Sequence, residues 1–325
     1  MVDPALDVKK SMTGRSNLRA RWGLRVARTL LNTAERVSPR AAARALAWLM
    51  FRTQRSTPPV REKEWLAGGD RWELRGPLGK LVAFRFGRGP AVILVHGWNG
   101  RGAQLGEFIA PLVAAGFSVT TFDAPGHGLS SGSEASLVAF ADAYDRVVNA
   151  LRESGEEVRG VIAHSLGASA VTFAESRRAR SNFGAAGNEK RLVFVAPPID
   201  VRDWVREFTA TFGASRNTEH ALSGLVQDRV GYRFADLYAP DLARGMRAPL
   251  LVLHDEQDRA LSVRSGAALA EAWPDAKLVT SSGLGHMRIL RDKNTIRQAV
   301  AFIRGDASPA EPAELGQPRP AHAFA

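Results

Sequence analysis

The fold class this sequence predicts is a mainly parallel, twisted sheet of about eight strands, with helices on both faces and a small inserted helical cap. Three observations predict it. From Trp65 onward, short apolar runs alternate with helical patterns, which implies right-handed βαβ crossovers and a sheet covered on both sides. The first two runs are joined by turn residues, so the sheet begins with a hairpin. One interval of about fifty residues between runs is longer than a single crossover needs.

The chain of 325 residues is 45% hydrophobic, enough for a sizeable core. Residues 1–60 read as a basic helical extension, with Leu18, Trp22, Val26 and Leu30 at helical spacing. Ser38-Pro39 marks a helix start, with Ser as N-cap and Pro at the first helical position, and the helix runs from Arg40 to Arg52. Ser56 to Pro59 breaks it. Trp72–Arg75 and Leu81–Phe86 are strands around Gly76-Pro77-Leu78-Gly79. The remaining strands are Ala91–Val95, Phe117–Phe122, Val161–His164, Leu192–Ala196, Leu250–His254 and Lys277–Thr280. The clearest helix presents Leu137, Phe140, Ala141, Tyr144, Val147, Val148 and Leu151 on one face, with Gly155 where a C-cap belongs. The aromatic-rich interval at about 199–247 is the cap, inserted in a domain spanning 65–303. The Pro-, Ala- and Glu-rich tail, 306–325, is expected to be disordered.

Charge and composition narrow the function classes. The chain has no cysteine, which excludes disulfides, thiolate catalysis and Cys-ligated metals. The net charge is +11, and residues 1–60 carry +9 of it. A basic arm on a near-neutral body points to a surface partner for the arm and not to a nucleic-acid-binding fold. Such an arm can lie on an anionic bilayer, or its helices can pack on the body with a solvated basic face. Met1–Lys10 lacks a signal-peptide core, and no stretch reaches the roughly 18 apolar residues of a spanning helix, so a cytoplasmic protein is expected.

The candidate chemistry lies in the loops that follow the strands. Val161-Ile162-Ala163-His164-Ser165-Leu166-Gly167 runs from a strand straight into a small-residue helix, the layout of the nucleophile elbow G-x-S-x-G with Ala163 in place of the first glycine. A serine N-cap on an ordinary βα turn fits the same residues. His96-Gly97-Trp98 ends an earlier strand, where acyl-transfer hydrolases draw one oxyanion N–H beside that of the residue after the nucleophile; here the donors are Trp98 and Leu166. Asp123-Ala124-Pro125-Gly126-His127-Gly128-Leu129-Ser130 is a tight loop in which Asp123 and His127 are expected to make loop-fixing hydrogen bonds. Of seven histidines, His286 suits a general base best: it follows the last strand in a Gly-flanked loop at the end of the sheet where Ser165 emerges. His96, His164, His127, His254 and His220 are assigned orienting, structural or cap positions, and His322 lies in the tail.

With HGW at 96–98, DAPGHGLS at 123–130, AHSLG at 163–167, HDEQD at 254–258 and GLGH at 283–286 in this order, the chain resembles the α/β-hydrolase superfamily over about residues 65–303. Ser165 separates it from haloalkane dehalogenases and epoxide hydrolases, which resemble the pattern but use aspartate there. The resemblance implies a serine hydrolase acting on an ester-type bond, with Ser165 as nucleophile, His286 as base and Asp258 as the acid that holds the imidazole. Asp258 is chosen because the loop resembles G-x-x-D with the acid at the fourth place; Asp255, in the glycine's place, is the runner-up. No metal or cofactor is required, and the partner is a small-molecule ester. An acyltransferase, a thioester or C–C hydrolase, and a non-catalytic ligand receptor are alternatives on the same fold.

Overall fold

The computed structural model describes residues 25–77, 79–181 and 190–306. Leu18, Trp22 and the tail beyond 306 lie outside the described residues. The helices are α1 (25–37), α2 (Pro39–Phe51), α3 (Val60–Ala67), α4 (Ile109–Ala114), α5 (Leu137–Glu153), α6 (Leu166–Arg180), α7 (Val201–Phe212), α8 (Arg216–Val230), α9 (Ala239–Ala243), α10 (Val263–Ala272), α11 (Gly285–Arg288) and α12 (Lys293–Arg304). The strands are β1 (Asp70–Gly76), β2 (Gly79–Phe86), β3 (Ala91–Val95), β4 (Ser118–Asp123), β5 (Val158–His164), β6 (Arg191–Val195), β7 (Leu250–Asp255) and β8 (Ala276–Ser281).

All eight strands form one sheet in the order β1-β2-β4-β3-β5-β6-β7-β8. β1 and β2 make the expected hairpin, closing at Gly76 opposite Gly79, and β2 joins β4 antiparallel. The pairs from β4 through β8 are parallel. Every residue of β3, β4 and β7 is buried, because helices cover both faces; β1 and β8, at the edges, stay partly exposed. Helix α5 shows how the sequence dictates its element. The Ser136 hydroxyl accepts the Ala139 N–H at the N-cap, and the whole stripe from Leu137 to Leu151 read from periodicity is buried on the sheet. Burying each large side chain of such a stripe contributes roughly 1.5–3 kcal/mol. β5 begins three residues before the apolar run, since Val158, Arg159 and Gly160 mask its start in sequence.

Between β6 and β7 the chain forms α7, α8 and α9, and α7 and α8 pack with the N-terminal helices. Ser38 caps α2 as expected, its hydroxyl accepting the Ala41 N–H. Ala42, Ala43, Leu46, Met50 and Phe51 of α2 share a buried cluster with Val205, Leu222, Val226 and Phe234. Two polar contacts extend the junction: Arg28 Nε–H donates to the Thr211 carbonyl at 2.8 Å, and the Ser215 N–H donates to Glu35 at 2.8 Å. No described helix is long and apolar enough to cross a membrane.

Candidate active site

Ser165 sits between the end of β5 and the start of α6 with φ 52° and ψ −128°. A non-glycine residue at positive φ stores about 1–3 kcal/mol of strain, so its surroundings must hold it there. They do so by close packing. A Cβ on Gly167 would lie 2.5 Å from the His96 carbonyl oxygen, and one on Gly97 would lie 2.9 Å from the Ser165 Cβ, so both positions exclude larger residues. Ala163, where the motif has glycine, is fully buried in the core on the helix α5–α6 side, and its methyl is accommodated there. The Ser165 N–H donates to the Val195 carbonyl at 2.9 Å, tying the turn to β6.

Ser165, His286 and Asp258 lie in one hydrogen-bonded line. The Ser165 hydroxyl is 3.1 Å from His286 Nε2, and His286 Nδ1 is 2.7 Å from Asp258 Oδ2. This network assigns the proton to Nδ1, leaving Nε2 as the acceptor of the serine hydroxyl. The other carboxylate oxygen, Asp258 Oδ1, accepts the Ala260 and Leu261 N–H groups at 2.8 and 3.0 Å. Burial works to raise the Asp258 pKa, but the His254 ring 3.6 Å away and the hydrogen bonds from His286 and the Leu261 N–H outweigh it and hold the carboxyl well below the usual range. Asp258 is therefore an anion at neutral pH.

Asp255 has a different set of partners. It accepts the Gln257 N–H on Oδ1, and the Ser281 hydroxyl and Leu284 N–H on Oδ2, at 2.8–3.0 Å. It pins the β7 turn to the loop that carries His286. His164 supports the same loop from below: its Nε2–H donates to the His286 carbonyl at 3.0 Å, and the two rings stand 4.6 Å apart. Burial, then the neighbouring His286, pushes His164 down to about 3. His254, fully buried at the end of β7, donates from Nε2 to the Leu261 carbonyl at 3.1 Å and lies 3.6 Å from Asp258 Oδ2.

The loop-fixing roles of the other polar residues are equally specific. Asp123 accepts the Gly102 and Leu129 N–H groups on its two oxygens. His96 Nε2 accepts the Ala124 N–H, and His127 Nε2 accepts the Asn99 N–H. Burial pushes His96 down to about 4 and His127 to about 3, so both stay neutral acceptors at pH 7. His220 is exposed on α8, away from these contacts. Neither the Trp98 N–H nor the Leu166 N–H donates to a backbone or side-chain acceptor among the described hydrogen bonds. Trp98 packs edge-on against Trp204 of α7 at 5.1 Å.

Sequence reasoning missed the contribution of residues 51–62. Phe51 lines the cavity above Ser165. The Gln54 N–H donates to the Asn99 side-chain oxygen at 2.8 Å, and Asn99 itself stands at φ 53°. Thr53 and Arg55 donate to the carbonyls of Gly126, Ser130 and Gly132, and Glu62 forms a buried ion pair with Arg101. This strap, extended between the end of α2 and the start of α3, thereby clamps the turn that follows His96 and the loop that follows β4. The cavity has a volume of about 820 Å³. Trp98, Leu137, Ile199, Trp204 and Val226 give it an apolar wall, Ser165 and His286 open into it, and Asp203 and Arg206 pair at 2.8 Å on its α7 side. Among the described residues no group of His, Asp and Glu is arranged to hold a metal ion.

Comparison with known proteins accords with this architecture. No curated protein sequence matches the chain. Solved structures do. An esterase from Pyrococcus furiosus superposes with a TM-score of 0.56 at 17% identity, covering 78% of this chain and 98% of the other. A monoacylglycerol lipase from Paleococcus ferrophilus gives 0.52 at 22% identity, covering 69% and 98%. A bromoperoxidase from Bacillus anthracis gives 0.53 at 17% identity, covering 73% and 100%. At these identities the likeness is one of fold. The sequence profile of the alpha/beta hydrolase family matches residues 92–298, well over half of the chain, and the chain belongs to that family.

Proposed function

We propose that this protein is a serine hydrolase that cleaves carboxylic ester-type bonds through an acyl-enzyme intermediate. The observation that carries the reading is the unbroken line from the buried Asp258 carboxylate through His286 to the hydroxyl of the strained Ser165. Ser165 Oγ attacks the ester carbonyl carbon while His286 Nε2 takes the hydroxyl proton. The Asp258 anion stabilises the imidazolium that results. The Trp98 and Leu166 N–H groups, which have no acceptor among the described residues, donate to the oxyanion of the tetrahedral intermediate. Collapse of the intermediate transfers the His286 proton to the leaving alcohol and leaves the acyl group on Ser165. Water, deprotonated by His286, then releases the acid and restores the serine. The apolar cavity wall suits an acyl or aryl group on the substrate.

The test is hydrolysis of p-nitrophenyl esters of graded acyl length, with the first turnover resolved in time. The reading predicts a burst of nitrophenol equal to the enzyme concentration where deacylation is slow, and a fall in kcat of roughly 10⁴-fold or more in Ser165→Ala and His286→Ala. Ester turnover that survives at full rate in Ser165→Ala would exclude it.

A further inference from the structure

The hydrolase site leaves the outer faces of α1 and α2 without a role. Among the described residues, eight large hydrophobic side chains are exposed, and five of them (Val26, Leu30, Val37, Trp48 and Leu49) lie on these two helices. Scattered single exposures are ordinary; a concentration of this kind marks an interaction surface. The inward faces already have partners, since Leu31, Ala42, Leu46 and Met50 are buried against the cap. Val26, Leu30 and Val37 recur four and seven residues apart, which aligns them along one side of α1. Leu30 is 66% exposed and Val37 86%. On α2, Trp48 is 52% exposed, stands one turn from both Arg44 and Arg52, and has the Arg52 guanidinium over its ring at 4.3 Å.

The charge on these helices has one sign. Arg25, Arg28, Arg36, Arg40, Arg44 and Arg52 stand against one acid on the helices themselves, Glu35, which is already bonded to Ser215; of the six, Arg28 donates to the Thr211 carbonyl and Arg52 lies 4.0 Å from Glu134. Residues 1–24 add five Lys and Arg against Asp3 and Asp7. That segment is basic too, and a second copy seated face to face would set arginine against arginine, so neither complements the face. A soluble polyanion would engage the arginines and leave Trp48, Leu30 and Val37 in water. We propose that the outer face of α1 and α2 docks on an anionic lipid bilayer. Trp48, Leu49 and the α1 stripe enter the headgroup–acyl boundary, and the arginines meet lipid phosphates, so apolar burial and electrostatic attraction act together. Phe51, the last residue of α2, lines the cavity, so the docked surface adjoins the cap over Ser165.

The experiment is co-sedimentation of the full chain with vesicles of equimolar phosphatidylglycerol and phosphatidylcholine, against pure phosphatidylcholine, at low and high salt. The proposal predicts enrichment on the anionic vesicles that high salt abolishes. Arg40→Gln and Arg44→Gln should each lower partitioning about fivefold. Trp48→Ser should lower it as well. All three positions are exposed, so melting curves should match wild type. Sedimentation equal on both vesicle types overturns the proposal. So does anionic-vesicle binding that is undiminished in all three variants, which would put the contact elsewhere on the chain. Binding to heparin with no vesicle binding would identify a soluble polyanion as the partner and would also overturn it.

Discussion

At the scale of single residues, two neighbouring aspartates are separated by what each one touches. Asp258 meets His286 Nδ1, whereas Asp255 holds backbone and hydroxyl donors of two loops. Asp258→Asn is therefore expected to lower kcat by about 10⁴-fold with little change in melting temperature, because an amide neither stabilises the imidazolium nor enforces its tautomer. Asp255→Asn should instead cost about 1–3 kcal/mol of stability by disturbing buried acceptor contacts, with a far smaller effect on kcat. Matched melting curves and one ester assay on both variants decide; a dead Asp255→Asn beside an active Asp258→Asn would move the acid role to Asp255. The order of side chains along the chain points to Ser165 and His286, because a strand-to-helix turn and a glycine-flanked histidine leave marks in sequence. The choice of acid rests on a loop motif and on Asp258 lying further round the loop than Asp255, which comes straight off the strand, since two carboxylates three residues apart differ only in where the turn aims them.

At the scale of elements, the strap of residues 51–62 ties a segment outside the family-matched region to the turn that bears Trp98. Asn99 accepts the Gln54 N–H and presents its own N–H to His127, so it fixes this turn from two sides. Asn99→Gly keeps the positive φ but loses the Gln54 contact; it should lower kcat about tenfold with KM unchanged, as the proposed oxyanion role of the Trp98 N–H implies. Asn99→Asp retains both the acceptor and tolerance of the left-handed region, and should stay close to wild type. Equal kcat in Asn99→Gly and wild type would show that the strap does not position the turn. The central strands were legible because burial on both faces makes them short continuous apolar runs, and α5 because burial on one face imposes a helical period. The strap was not, because it is extended, aperiodic and bonded mainly to backbone carbonyls such as Gly126, Ser130 and Gly132, which any sequence supplies. The Trp98 and Leu166 N–H groups, without an acceptor among the described residues, are invisible for the same reason and are reached only through the motifs that surround them.

At the scale of the whole molecule, three neutral histidines under the site couple its architecture to pH. Burial holds His96 at about 4 and His127 and His164 at about 3, below the ordinary 6.5. The unfolded chain binds these protons more readily, so the stability they contribute is complete above about pH 6.5 and is lost as pH falls toward 3–4. At pH 5 the loss is about 2 kcal/mol for each histidine, and the lowered Asp258 pKa adds a further loss below the ordinary 3.8. The raised pKa of Asp123 acts in the opposite direction. Denaturant unfolding at pH 7 and pH 5 should therefore show a marked drop in stability at the lower pH; an unchanged midpoint would contradict neutral burial of these rings. The fold as a whole, sheet order and crossovers included, serves to bring Ser165, Asp258 and His286 from three separate strand ends to one line. The most direct test of that claim is labelling with a fluorophosphonate, followed by mass-spectrometric mapping of the modified residue. The account predicts stoichiometric phosphonylation of Ser165, lost in Ser165→Ala and strongly slowed in His286→Ala. Labelling of another serine, or full-strength labelling that persists in Ser165→Ala, would contradict it.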